Sequence, residues 1–272
     1  MKFLITPAAL AGALIFSATA YAQTAAPAPA DAPAAPAAAA PADPLSFNIA
    51  LTSNYKFRGQ DQDLSKARAF KPALQGGLDY AHASGFYIGN WNSTVNFLEG
   101  ATGKRANLEI DIYGGYKFNA GDVGFDVGAL TYIYPGASKA NTTELYGAIS
   151  YGPVTAKYST TVSKDYFSYG LDTFNGRGTG YFNLAFAKEV APNVTLKASI
   201  GQTTFSSAIK NGTGVPSFTD YSLGASYDFG SGLSLAGAIQ GASNKSNFNY
   251  VSNGNVRSAN KDALIITLTK TL

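Results

Sequence analysis

Cysteine is absent from this chain of 272 residues, and histidine occurs once. The first absence excludes a secreted scaffold stapled by disulfides and any thiolate metal site. The second leaves little room for histidine chemistry, because the one candidate base, His82, falls where a solvated turn is expected. An excess of charge is missing too: with Lys2 set aside, 19 basic residues stand against 17 acidic ones. That balance points neither to nucleic acid nor to an acidic partner. The apolar stretch at the start, in MKFLITPAALAGALIFSATAYAQ, falls short of the roughly 20 residues a spanning helix needs.

With its one lysine and the small residues Ala20 and Ala22 flanking Tyr21, that start reads as a secretory signal peptide over residues 1–22. Residues 23–44 are almost entirely alanine and proline, with Asp31 and Asp43 as the charges, and read as a linker of polyproline character. Residues 45–272 then suffice for one domain.

Within that domain the prevailing pattern has a period of two. From Leu45 to Phe57 apolar side chains occupy every second position through Leu45, Phe47, Ile49, Leu51, Tyr55 and Phe57, with Asn48, Lys56 and Arg58 in the other phase. A helix would scatter such groups around its circumference, whereas a strand gives them one face. Similar stretches follow at 70–82, 87–97, 108–118, 123–133, 143–151, 154–162, 179–188, 194–204, 219–229, 232–242 and 262–272. About twelve strands result, each near the length of a tilted membrane-crossing strand. Short connections such as HASG and NAGD alternate with long ones such as 163–178, as in a barrel with short periplasmic turns and long outer loops. Tyr80, Phe118, Tyr151 and Phe229 end strands beside the short turns, where an aromatic girdle is expected. The glycine pairs Gly76-Gly77 and Gly114-Gly115 fall mid-strand, where they permit curvature. The fold expected is therefore all-β: a transmembrane, antiparallel, up-and-down barrel whose apolar phase faces lipid.

The other phase then lines a lumen. On it fall the bases Lys56, Arg58, Lys71, Lys117, Lys157 and Lys197, and the acids Asp79, Glu109, Asp111, Asp126, Glu144, Asp220 and Asp228, with Tyr132 among the aromatics and Tyr134 and Tyr146 beside it. Mixed charge of this kind predicts weak ion selectivity unless the two signs segregate. A lumen of twelve strands can hold a narrow path or be filled by side chains. Bases outnumber acids in the long loops, from Lys66 and Arg68 to Arg257 and Lys261, which suits lipopolysaccharide phosphates or the steering of anionic solutes.

SNYKFRGQDQ at 53–62, PALQGGLDYAHASGFYIGNW at 72–91, LEIDIYGGYKF at 108–118 and YIYPGASKANTTELYGAISYG at 132–152 together resemble the TorF family of proteobacteria, whose members are assigned as porins. The likeness extends over 46–272 and is strongest from 53 to 151. It implies an outer-membrane barrel reached through the periplasm and inserted by the barrel assembly machinery. This chain departs from the family at its end, finishing on Leu272 where such chains finish on an aromatic residue, and Lys270 falls in the apolar phase of the last strand. The expected function is passive passage of small hydrophilic solutes across the outer membrane, without catalysis, cofactor or metal. The alternative is a closed barrel acting structurally or binding partners through its long loops.

Overall fold

The computed structural model describes residues 44–99 and 104–272; the expected signal peptide, and the expected linker but for Pro44, lie outside them. Seventeen elements follow in order: β1 (Leu45–Thr52), β2 (Lys56–Phe57), β3 (Gln60–Asp61), β4 (Ala73–Ala81), β5 (Phe86–Glu99), β6 (Lys104–Ala120), β7 (Val123–Ile133), β8 (Thr142–Tyr151), β9 (Val154–Thr161), β10 (Gly180–Ala191), β11 (Val194–Thr204), α1 (Ser207–Thr213), β12 (Phe218–Gly230), β13 (Leu233–Ala242), β14 (Asn249–Ser252), β15 (Asn255–Ser258) and β16 (Ala263–Thr271). Short 3-10 turns at Ser138–Ala140 and Lys245–Phe248 lie in the long connections.

Twelve strands close into one barrel, each hydrogen-bonded to its sequence neighbour, with β1 sealing against β16. All pairs are antiparallel, and the seam runs from Asn48↔Thr271 to Thr52↔Thr267. Closure leaves no unpaired edge, which in hydrocarbon would cost several kcal/mol per orphaned backbone group. One end carries the tight turns 82–85, 121–122, 152–153, 192–193 and 231–232; the other carries the long connections, including 53–72, 162–179 and 243–262.

The wall sorts by parity. Phe47, Ile49, Leu51, Leu145, Ile149, Leu223 and Ile239 are exposed on the outside, alternating with buried or half-buried polar side chains inside. Tyr80, Phe118, Tyr151 and Phe229 stand exposed near the tight turns, as a girdle requires. Gly77 sits where a Cβ would meet Asn90 O at 2.0 Å, so the close approach of β4 to β5 depends on its having no side chain.

Three expectations are corrected. The first strand ends at Thr52, not near residue 59, and Tyr55 and Phe57 are buried inside the barrel rather than facing lipid. Likewise β4 begins at Ala73, so Phe70 and Lys71 precede it. In β5 the phase is inverted: Tyr87, Trp91 and Val95 point inward, and Phe86, Ile88, Asn90 and Asn92 point outward. Asn90 and Asn92 meet the lipid side by saturating each other. Asn92 Nδ2 donates to Asn90 Oδ1 at 2.6 Å, and Asn90 Nδ2 donates to the Asp111 carbonyl at 3.0 Å.

Candidate functional site

Past Thr52 the chain turns into the lumen instead of looping outward. Its tip is the β2–β3 hairpin, where both central residues have positive φ, 48° at Arg58 and 73° at Gly59, the pattern of a type I′ turn. Gly59 tolerates that conformation and lies so close to β13 that a Cβ would stand 2.4 Å from Gly241 O. Arg58 pairs with Glu144 at 2.7 Å, donates to Tyr166 Oη at 3.0 Å and stacks 4.0 Å over the Tyr181 ring. The hairpin thus spans from the β8 wall to the β10 wall.

Asp61 fastens the hairpin. Lys56 Nζ lies 2.8 Å from one carboxylate oxygen, and Lys71 Nζ and Arg257 Nε lie 2.8 and 3.3 Å from the other. Lys56 also donates to the Ala259 carbonyl, and Lys71 to Tyr250 Oη, which ties the segment to the 243–262 connection. Burial alone would raise the Asp61 carboxyl, but Lys56 and Lys71 outweigh it and hold it below the usual carboxylate range. Burial pushes the Lys56 ammonium down to about 8 against the pull of Asp61, since Lys71 and Arg257 crowd the same carboxylate. Arg257, expected on an exposed basic rim, is turned inward onto this cluster, with its side chain 8% exposed. A cavity of about 150 Å3 remains beside it, lined by Tyr55, Asp63, Lys71, Ala73, Thr94 and Val95.

The β5–β8 side of the lumen is filled. Tyr55, Phe57, Trp91, Tyr113, Leu130, Tyr132, Tyr134 and Tyr146 form one buried cluster with Phe167. Its tyrosine hydroxyls hold the acids of the wall. Tyr55 and Tyr134 each donate to Glu109 at 2.7 Å, Tyr113 donates to Asp79 at 2.5 Å, and Tyr87 donates to Asp126 at 2.7 Å and also contacts Tyr146 Oη. Lys117 and Lys157 lie over the rings of Tyr87 and Tyr146, at 4.9 and 3.9 Å. Asp111 is fully buried and neither of its oxygens has a hydrogen-bond partner. A second aromatic cluster, with Tyr166, Phe205, Ile209, Phe218 and Phe248, closes the outer end over β10–β13.

Beneath that second cluster the wall is lined by small side chains. Inward positions on β10–β13 include Ala185, Ala187, Ser199, Ser222, Gly224, Ser226, Ala236 and Ala238. Ser199, Ser226, Ala236 and Thr267 are half-buried, whereas Asp220, Ser222, Gln240 and Thr203, nearer the long loops, are buried. The lumen on this side is therefore a vestibule open toward the tight turns and shut toward the long ones. Lys197 stands at its inner end, Asp220 lies above it under the cap, and Asp228 is exposed at the rim.

The residues expected on the lumen thus divide by place. Lys56, Arg58 and Lys71 belong to the inserted segment. Asp79, Glu109, Asp111, Lys117, Asp126, Tyr132, Glu144 and Lys157 line or fill the aromatic side, and Lys197, Asp220 and Asp228 line the vestibule side. His82 sits exposed in the first tight turn with Nδ1 2.7 Å from Ser84 Oγ. Of the tyrosines that bind the acids, sequence reasoning placed Tyr134 on the lumen but put Tyr55 and Tyr87 in the lipid phase and passed over Tyr113. Tyr113 shares the parity of Glu109 and Asp111 on β6, so counting positions was enough to find it.

Comparison with solved structures gives distant likenesses to outer-membrane porins. The KdgM porin aligns over 83% of this chain and 98% of its own at 8% identity and a TM-score of 0.49. The same porin in complex with disordered oligogalacturonate aligns over 84% and 96% at 7% identity and a TM-score of 0.48. OccK5 of Pseudomonas aeruginosa aligns over 85% and 67% at 16% identity and a TM-score of 0.38. No residue correspondence rests on alignments this remote, and the barrel stands on its own hydrogen-bonded register. No curated protein matches the sequence. The family does emerge from the sequence: residues 35–272 match the model of Gcw_chp, described as a bacterial protein of unknown function, and the chain belongs to that family.

Proposed function

We propose that this protein is an outer-membrane channel for passive diffusion of small hydrophilic solutes, closed at rest by its inserted segment 53–71. The observation that carries the reading is the parity of the wall: apolar side chains outside, charged and hydroxyl side chains inside, and a half-exposed polar vestibule leading to the hairpin. A chain that only needed to anchor itself in lipid has no use for a polar passage ending at a latch. The reading includes export by residues 1–22, a spacer over 23–44, insertion by the barrel assembly machinery and kinship to the TorF porins. Exposed Lys66, Arg68, Arg105 and Arg177 would meet lipopolysaccharide phosphates at the outer rim. No catalytic step is assigned.

Planar-bilayer recordings of refolded protein test it. Stepwise conductance, rare at low voltage and more frequent when the hairpin is loosened, is the expected result; silence at every voltage overturns it. One observation favours a second reading, a closed barrel with a structural or surface-binding role: two aromatic clusters seal the outer half of the lumen. That reading predicts silence even after the hairpin is removed.

A further inference from the structure

Lys197 differs from the other lysines of the lumen. Lys56 and Lys71 are held by Asp61, and Lys117 and Lys157 lie over tyrosine rings. Lys197 is 8% exposed, points inward from β11, and makes no ion pair, hydrogen bond or ring contact among the described residues. Its cross-strand neighbours are Ala187 on β10 and Gly224 on β12, and Gly224 in turn pairs with Ala238 on β13. Ala238 pairs onward with Ile265 on β16, so no neighbour on that row carries a charge or a hydrogen-bonding side chain.

One row deeper, two residues or about 7 Å along the strands, the register sets Ser199, Ser222 and Gln240 side by side. Ser222 Oγ and Gln240 Oε1 are buried without partners, in residues only 4% and 1% exposed. One row deeper again, Asp220 accepts from Tyr181 through one oxygen at 3.1 Å and leaves the other, Oδ2, unpartnered. An unpaired ammonium, a free hydroxyl and two free acceptors thus stand on three successive rows of the inner wall at the head of the vestibule. Groups of this kind are hydrogen-bonded in nearly all folded proteins, so their common orphaning marks the place of a visitor.

We propose that Lys197, Ser222 and Gln240 form the solute station of this lumen, and that it takes small hydroxylated carboxylates. The assignment deepens the channel reading and rests on it. The carboxylate meets the Lys197 ammonium and can accept from Ser222 Oγ, while hydroxyls farther along the solute donate to Gln240 Oε1 and Asp220 Oδ2. A neutral sugar leaves the ammonium unpaired, and a bare halide leaves both acceptors unpaired, so each forfeits part of the match.

The test reads binding directly. The protein is dimethylated on its lysines with 13C-formaldehyde and a borane reductant while unfolded, then refolded in micelles, and the Lys197 methyl signal is assigned from its absence in K197Q. Titration with D-gluconate is expected to move that signal saturably, with D-glucose leaving it in place and chloride needing at least tenfold higher concentration for the same shift. No response to gluconate, or an equal response to chloride or glucose, overturns the assignment. In S222A and Q240L, which keep the lysine, the gluconate midpoint rises severalfold; an unchanged midpoint in both also overturns it. Because this readout needs no current, a wild-type barrel that fails to conduct would defeat the channel reading while the methyl signal still decides the station.

Discussion

Asp61 holds Lys56, Lys71 and Arg257 on a single carboxylate and so binds the inserted hairpin to the 243–262 connection. Removing one partner of a buried ion pair strands the others, at about 3–5 kcal/mol. Asp61→Asn keeps the size and removes the charge, so the hairpin should detach before the barrel yields. Amide exchange should rise across 53–71 and stay slow in β6–β8, and channel openings should become more frequent; equal protection in both proteins would show that the cluster is not the latch. The acid limit follows from the same residue. A carboxyl held below its ordinary value of about 3.9 contributes fully above that value and loses its contribution as pH falls through the lowered one. Exchange in the hairpin, corrected for its intrinsic pH dependence, should be flat from pH 7 to 5 and climb only well below 4. An onset near pH 6 would assign the latch to another group.

At the scale of the strand, the alternation in β6 was legible because Glu109, Asp111 and Lys117 cannot face lipid, which leaves Ile110, Ile112 and Phe118 no other side. Strand β5 was not legible in the same way. Its Trp91 and Val95 are apolar and point inward, because this side of the lumen is packed with rings: Tyr55 meets Trp91 at 5.6 Å in an edge-on contact. Hydrophobicity separates lipid from water but does not separate lipid from a filled interior. The signal that does is the turn, since the pairing Tyr80↔Ile88 across residues 82–85 fixes the phase of everything after it. The hairpin was misread for a related reason. Tyr55 and Phe57 continue the rhythm of β1 because a two-stranded insert between an aromatic cluster and a charged latch also needs two unlike faces. Two outcomes check this account. Trp91→Ala should cost about 3–5 kcal/mol in urea unfolding from lipid vesicles, as an emptied core site does. Replacing Asn90 and Asn92 together with leucine should be nearly neutral or stabilising, because each satisfies the other and both leave at once. A large loss from the leucine pair would put those positions on an interface rather than in lipid.

Across the whole molecule the lumen is lopsided: rings fill the β5–β8 half, and small side chains line the β10–β13 half up to Lys197. A solute crossing the barrel must therefore run along the second half and must displace the hairpin or the cap formed with Phe205, Phe218 and Phe248. The absence of native cysteine makes this directly measurable, since any thiol introduced is the only one present. In refolded barrels, Ser226→Cys and Ala236→Cys lie on the half-exposed vestibule and should react with a small charged thiol reagent within the time taken by an unfolded control. Thr203→Cys, buried above the station, should react far more slowly. Replacing 53–71 by a short glycine-serine linker leaves the β1–β4 and β1–β16 pairings in place, so the barrel should still close. In that protein Thr203→Cys should gain reactivity and unit conductance should rise severalfold. An upper thiol that stays silent after the replacement would move the gate from the hairpin to the aromatic cap, and fast labelling of Thr203→Cys with the hairpin intact would mean the passage is never shut.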